Sequence, residues 1–246
     1  MAWIIGVGAS AGLGAAVARR FARGGLVVAV SGRKLDRLER VAQEIVAAGG
    51  RAHAVVADAS DEAQLRQARD AVAEIGSLRV AVFNVGNATR GTVLELDTEQ
   101  FEAAWRASAF AGFLFARAVV PALLGNGVEE DEPFGRGSLL FTGATASLRG
   151  RPQFAAFASA KAGLRSLAQS LAREYGPKGL HIAHVVIDGG IDGERLRAAA
   201  PHRATEAGTD GLLDADRIAD VYWHLHTQHR SAWTQELDLR PFKESF

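Results

Sequence analysis

Residues 3–14 read Trp-Ile-Ile-Gly-Val-Gly-Ala-Ser-Ala-Gly-Leu-Gly, and this stretch decides the fold. A β-like apolar run passes directly into a glycine-rich turn, and the turn passes into the helical pattern of residues 15–21. Glycines let a backbone approach a pyrophosphate closely, and the N–H groups of the following helix favour its negative charge. The pattern predicts a dinucleotide site, and a tight turn without a ligand is the alternative. The predicted phosphate-binding residues are Gly8, Ser10, Gly12, Leu13 and Gly14.

The rest of the chain repeats this strand and helix alternation. Short β-branched runs alternate with longer runs rich in Ala, Leu and Arg, which is typical of a parallel sheet with helices on both faces. Strands are predicted at 3–8, 26–31, 52–57, 78–84, 137–143, 181–187 and 234–239. Helices are predicted at 12–24, 34–48, 61–75, 98–124, 153–175 and 215–228. No linker or repeat interrupts the pattern, so we predict a single α/β domain over residues 1–246.

Two segments depart from the alternation. Residues 125–137 are acidic and rich in glycine, which predicts an exposed loop. Residues 190–214 have few apolar anchors and follow the carboxyl end of a strand. Because ligands bind at that edge of an open α/β sheet, we expect this segment to act as a mobile lid.

Composition excludes several classes of protein. The 28 basic and 28 acidic residues balance, so nucleic acid is not an expected partner. The chain has no cysteine, and its seven histidines show no zinc-binding spacing, so we expect no metal site. Charged residues interrupt every apolar stretch before it reaches the length needed to span a bilayer. No signal-peptide pattern precedes Trp3. We therefore expect a cytoplasmic protein with no membrane partner.

The second strand is followed by Gly32 and Arg33, where the adenosine ribose of a dinucleotide lies in such folds. An acidic residue would bind a free 2′-hydroxyl, whereas a glycine and an arginine suit a 2′-phosphate. We therefore expect NADP rather than NAD, although Arg33 is also explained as a solvated helix-start residue. Asp58 is a candidate for the adenine, and Asn84 with Gly86 for the ribose, but each also fits a turn or a helix cap.

Two helices carry unusually apolar or small surfaces. Aromatic residues occupy several faces of 98–124, and alanines leave close-approach surfaces on 153–175. Such helices are buried on more than one side, so we expect a homodimer or homotetramer packed through them. A monomer with deep burial is the alternative.

Taken together, the glycine turn, Asp58, Asn84-Val85-Gly86 and Phe157-xxx-Lys161 resemble the short-chain dehydrogenase/reductase family from about residue 3 to residue 240. The resemblance implies a nicotinamide cofactor, a small-molecule substrate, the strand order 3-2-1-4-5-6-7 and an oligomer. It also implies that Lys161 holds the nicotinamide ribose. Gly189 and Ile191, which follow the sixth strand, are assigned to cofactor binding as well.

The sequence differs from the family pattern at the residues that carry out the family's chemistry. The family's proton-transferring tyrosine corresponds to Phe157, its carbonyl-orienting serine to Ala144, and its helix asparagine to Ala109. A benzyl ring has no ionisable proton, so the general acid/base step has no donor there. The family's Pro-Gly turn is Asp188-Gly189 here, and the threonine that contacts the carboxamide is replaced by Gly193. The departures cluster around the nicotinamide half of the site.

Three residues are candidate replacements. Thr145 is adjacent to the lost serine position, but it also fits an ordinary strand-end threonine. His184 is a natural proton carrier near neutral pH, but strand alternation also predicts a buried structural group. Asp188 is the remaining acid at the strand edge, and Lys161 supplies a positive charge for an oxyanion.

Two functions follow from these residues. The first is an NADP(H)-dependent oxidoreductase with a rearranged proton-transfer site, acting on a small carbonyl, alcohol or activated double bond, because the cofactor itself carries the hydride chemistry. The second is a catalytically silent nucleotide-binding protein that acts as a sensor or scaffold.

Overall fold

The computed structural model describes residues 1–86, 88–127 and 134–244, and it contains a seven-stranded parallel sheet in the order β3-β2-β1-β4-β5-β6-β7. The strands are β1 (Ala2–Ile5), β2 (Val27–Gly32), β3 (Arg51–Val56), β4 (Val80–Phe83), β5 (Gly137–Thr142), β6 (Leu180–Ile187) and β7 (Glu236–Leu239). The predicted fold class, number of strands and strand order are confirmed.

Helices cover both faces of this sheet. They are α1 (Leu13–Arg23), α2 (Leu35–Ala47), α3 (Glu62–Ile75), α4 (Thr98–Trp105), α5 (Ala111–Leu124), α6 (Ala155–Tyr175), α7 (Glu194–Ala199), α8 (Pro201–Ala207) and α9 (Ala215–His226). One hydrophobic cluster joins α1, α2 and α9 to one face of the sheet. A second cluster joins α3, α5 and α6 to the other face.

The central strands β4, β5 and β6 are buried along their whole length. Both faces of the sheet are covered by helices, so these strands are mostly apolar rather than alternating, with Ser138, Thr142, His181 and His184 as buried polar exceptions. Because every strand pair is parallel, the carboxyl ends of the strands lie along one edge of the sheet. The strand order reverses between β1 and β4, and a crevice opens at such a reversal.

The predicted helix 98–124 is interrupted. Residues Arg106–Phe110 form a π-helical turn between α4 and α5, and turns of this type occur often at functional sites. The helical span Thr98–Leu124 is also long and apolar enough to cross a membrane, so the expectation that no stretch reaches that length was wrong. Half of its most apolar window is buried inside the protein, and core helices of soluble proteins pass the same test.

Two further segments differ from the sequence predictions. β1 ends at Ile5 rather than at residue 8, because the chain turns at Gly6, whose φ is +90°. Residues 190–214 contain the short helices α7 and α8, which were not predicted, and a bridge joins Ile191 to Leu213. Motion of this segment as a lid stays a prediction. In the acidic loop 125–137, residues 128–133 lie outside the described residues.

Candidate cofactor and active site

The amino end of α1 is uncapped. It begins at Leu13 with no side-chain cap and no acidic residue in its first turn, whereas Asp61 caps α3 and Asp214 caps α9. The first N–H groups of a helix have no partner inside the helix and carry a partial positive charge. In the described part of the chain, α1 therefore offers its first turn to an anion.

The glycines at the start of α1 and in the turn before it are required for different reasons. A Cβ on Gly14 would lie 3.0 Å from both Asn84 Nδ2 and the Gly6 carbonyl oxygen, and Asn84 Nδ2 donates to that oxygen at 3.1 Å. Gly14 therefore permits close packing against the end of β4. A Cβ on Gly8 would have no atom within 4 Å. The space above Gly8 is open, as a phosphate-binding turn requires.

Ser10 is held by residues that the sequence analysis did not identify. Its hydroxyl donates to Glu44 Oε2 at 2.5 Å, and Arg19 donates to the Ser10 carbonyl oxygen at 2.9 Å. Arg19 and Glu44 also form an ion pair at 3.4 Å. The turn is therefore tied to α1 and α2 by side chains that are distant in sequence, and no local pattern signals such a contact.

The end of β2 has no room for a side chain at Gly32, because a Cβ there would overlap the carbonyl oxygen of Val7. A carboxylate cannot be carried at this position without moving the glycine turn. Arg33, which follows, is exposed. After β3, Asp58 Oδ1 accepts from the backbone and hydroxyl of Ser60 at 2.9 and 2.7 Å, so the alternative of a turn-forming aspartate matches the structure.

Lys161 lies between the carboxyl ends of β4 and β5, on the β4 side of the strand-order reversal. It is buried on α6, and its Nζ donates to the carbonyl oxygens of Thr142 at 2.9 Å and Val85 at 3.2 Å. A Cβ on Gly86 would lie 2.9 Å from the same Nζ. The structure therefore brings the predicted Lys161 and Gly86 together at the edge where ligands bind.

The three positions singled out in the sequence carry apolar side chains. Phe157 lies one turn before Lys161 on α6 and packs on Phe154, with ring centroids 6.5 Å apart. Ala144 follows β5. Ala109 is buried in the π-helical turn, and its Cβ lies 3.2 Å from the point that a Cβ on Gly163 would occupy. None of these side chains can donate a proton.

Thr145 and Asp188, which were predicted separately, are hydrogen-bonded to each other. Thr145 Oγ1 donates to Asp188 Oδ1 at 2.5 Å, and the Asp188 side chain is 2% exposed. Two guanidinium groups flank this carboxylate: Arg240 Nη2 lies 3.5 Å from Oδ2, and Arg149 Nη2 lies 3.8 Å from Oδ1. The paired cations compensate the buried charge, which is otherwise costly. The sequence analysis missed both arginines.

His184 belongs to a buried polar network. Its Nδ1 lies 2.9 Å from Glu236 Oε2, and Glu236 accepts two hydrogen bonds of 2.7 Å from Arg165. Burial lowers the pKa of His184 to about 4, although Glu236 opposes the shift. The hydrogen bonds from Arg165 lower the pKa of Glu236, so this carboxylate is ionised and His184 Nδ1 carries the proton. The alternative of a buried, hydrogen-bonded histidine therefore matches the structure.

Gly189 and Ile191 lie beside the site without an exposed polar side chain. Gly189 has a φ of +152°, and a Cβ there would lie 2.7 Å from Pro241 Cδ. Ile191 forms the bridge to Leu213 at the start of the segment 190–214. A Cβ on Gly193 would lie 3.2 Å from the Ala11 carbonyl oxygen, so this segment approaches the glycine turn. These positions border the crevice through their backbone.

A family model described as short chain dehydrogenase matches residues 2–203. The chain belongs to the short chain dehydrogenase family. An uncharacterized oxidoreductase from Mycobacterium tuberculosis is 34% identical over 172 residues, which are 70% of this chain and 63% of that protein. The chain thus spans less than two thirds of the length of this relative.

Two solved structures extend the comparison over nearly the whole chain. A short-chain dehydrogenase from Rhodopseudomonas palustris is 36% identical with a TM-score of 0.80, covering 98% of both chains. A metagenomic short-chain oxidoreductase in complex with NADP is 27% identical with a TM-score of 0.78, covering 98% of this chain and 96% of that one. The similarity to the short-chain dehydrogenase family therefore extends over nearly the whole chain.

Proposed function

We propose that this protein is an NADP(H)-dependent oxidoreductase whose proton-transfer group is the Thr145–Asp188 pair. The observation that carries the proposal is the 2.5 Å hydrogen bond between these residues at the same sheet edge as Lys161. The substrate is a small carbonyl compound, an alcohol or an activated double bond. The position that the family uses for its tyrosine is Phe157, so another group must move the proton.

The residues of the crevice fit a nicotinamide dinucleotide. The uncapped amino end of α1 and the open space at Gly8 suit a pyrophosphate, and Lys161 is placed to bind the nicotinamide ribose. The exclusion of a side chain at Gly32 and the exposed Arg33 favour a 2′-phosphate over a free 2′-hydroxyl. NADP is therefore the proposed cofactor, and when bound it supplies or accepts the hydride.

The pair can carry one proton in either direction. In alcohol oxidation, the substrate hydroxyl transfers its proton to Thr145 Oγ1, while the Thr145 proton moves along the existing hydrogen bond to Asp188 Oδ1. In carbonyl reduction both transfers are reversed. Arg240, 3.5 Å away, compensates the charge of the Asp188 carboxylate, and the ammonium of Lys161 stabilises negative charge on the reacting oxygen.

The test begins with NADPH binding and continues with NADPH oxidation across panels of carbonyls, imines and enones. Thr145→Val and Asp188→Asn are expected to lower turnover by about 10²–10⁴-fold, the usual contribution of general acid/base catalysis. Exposed matched variants, Thr98→Val and Asp70→Asn, serve as controls. Unchanged turnover in the two site variants would refute the proposed pair.

A second function is suggested by Phe157 and Ala144, which stand where the resemblance to the family implies a tyrosine and a serine. Tight NADPH binding without turnover on any panel would support a catalytically silent sensor or scaffold. Both functions predict NADPH binding, so NADPH oxidation on the substrate panels is the measurement that separates them.

We also propose that the protein forms a homodimer or homotetramer through α4, α5 and α6. Large apolar side chains that a soluble monomer would expose support this arrangement: Phe101, Trp105 and Phe113 are 45%, 42% and 43% exposed. Location in the cytoplasm stays a prediction from the sequence.

A further inference from the structure

The turn that carries Thr145 also carries an arginine with few polar contacts. Arg149 follows Thr145 by four residues, and its side chain is 38% exposed at the rim of the site. Within residues 1–86, 88–127 and 134–244, its guanidinium donates no hydrogen bond, and its nearest carboxylate is Asp188 at 3.8 Å. An arginine that serves the fold usually donates several close hydrogen bonds, as Arg165 does to Glu236.

Asp188 does not need Arg149 as its main partner. Its Oδ1 accepts the hydroxyl of Thr145 at 2.5 Å, and its Oδ2 faces Arg240 at 3.5 Å. Arg149 therefore remains available for a second anion. Because the guanidinium is planar and presents paired donors, it matches a carboxylate in a bidentate geometry.

The geometry limits where that anion lies. Thr145 Oγ1 and Arg149 Nη2 contact the same oxygen, Asp188 Oδ1, at 2.5 and 3.8 Å, so the two groups are at most about 6 Å apart. A substrate oxygen bonded to Thr145 would have a carboxylate two or three bonds away within reach of Arg149. One available guanidinium beside a buried carboxylate suits a single negative charge rather than a phosphate dianion.

We infer that Arg149 is a specificity-determining residue that binds the carboxylate of a short oxo acid or hydroxy acid. The inference rests on the proposed function, since it places the reacting oxygen at Thr145. Arg240 and Lys161 add positive charge beside this position, and Asp188 and Asp238 oppose it, which leaves the group of five side chains, with Arg149, at a net charge of one positive unit.

The experiment compares acetoacetate with methyl acetoacetate as substrates for the NADPH-bound protein. The native protein is expected to prefer the acid by at least tenfold in kcat/KM, mainly through KM. Arg149→Met is expected to bring the ratio of kcat/KM for acid and ester close to one. Arg149→Lys is expected to retain part of the preference, because it keeps the positive charge but loses the paired donors of the guanidinium. Arg173→Met, on the exposed distal part of α6, is the control.

Equal use of acid and ester by the native protein, or an acid preference that survives Arg149→Met, would overturn the inference. If neither compound is reduced, thermal protection of the NADPH-bound protein by acetoacetate is measured instead. Protection that disappears in Arg149→Met supports the inference while counting against the proposed proton transfer, and absence of protection overturns it.

Discussion

Gly143 should not tolerate even one methyl group. It lies between β5 and Thr145, and a Cβ at this position would overlap His184 Nε2, lie 2.5 Å from His184 Cε1 and lie 3.0 Å from Ser147 Oγ. Carbon contacts are normally 3.5–4.0 Å, so the imidazole would have to move by about 1 Å. The ring is fully buried and is held by Glu236, which Arg165 holds in turn. Gly143→Ala is therefore expected to cost about 3 kcal/mol, the upper end of the range for overpacking.

Urea denaturation and calorimetry measure this loss, and a cost of that size lowers the Tm of a chain of this length by roughly 6–12 °C. Gly150→Ala is the matched control, since a Cβ on Gly150 would have no atom within 4 Å. In a His184→Ala background the same Gly143→Ala change is expected to cost less than about 1 kcal/mol, because the clash is gone. A native-like Gly143→Ala protein, or an undiminished cost without the imidazole, would refute the assigned contact.

Three further predictions concern acid stability, the cofactor and assembly. The pKa of His184 is about 4 in the folded protein and about 6.5 when unfolded, so the unfolded state binds more protons between these values. The free energy of unfolding should fall by about 3 kcal/mol from this residue as pH drops from 6.5 to 4. His184→Gln should show a shallower loss by chemical denaturation at each pH, whereas exposed His53→Gln should not. Gly8→Ala should raise the Kd for NADPH, measured by calorimetry, at least tenfold. An unchanged Kd would show that the phosphate does not bind at this turn. Phe113→Glu should reduce the mass measured by sedimentation, whereas Val46→Glu on α2 should leave it unchanged.

Local patterns predicted the fold well. Short apolar and β-branched runs identified the strands at the centre of the sheet, which are buried on both faces, and the regular alternation with helices identified the partly exposed β3 and β7. The π-helical turn at Arg106–Phe110 was not predicted, since a single inserted residue does not disturb an already apolar pattern. α7 and α8 were missed for a different reason: they are six and seven residues long, which is too short for a periodicity to emerge.

The candidate site was only partly predictable. Lys161 and Thr145 were nominated through the resemblance to the family, and Asp188 through its place at the end of a predicted strand. Arg149 and Arg240, which lie near Asp188, were not predicted. Both are far from Asp188 in sequence, and nothing in the sequence distinguishes them from the other arginines. The sequence left the role of His184 open, because the burial of a side chain depends on packing from several elements. In the structure His184 is fully buried.

The hydrogen bonds of Lys161 have an evolutionary consequence. Its amino group is anchored by the carbonyl oxygens of Thr142 and Val85, which belong to the peptide backbone and persist whatever side chains those positions acquire. Mutational drift in the surrounding hydroxyls therefore leaves the lysine docked and its positive charge fixed. Under the proposed function, a lineage can exchange its proton donor in small steps while this lysine stays in place.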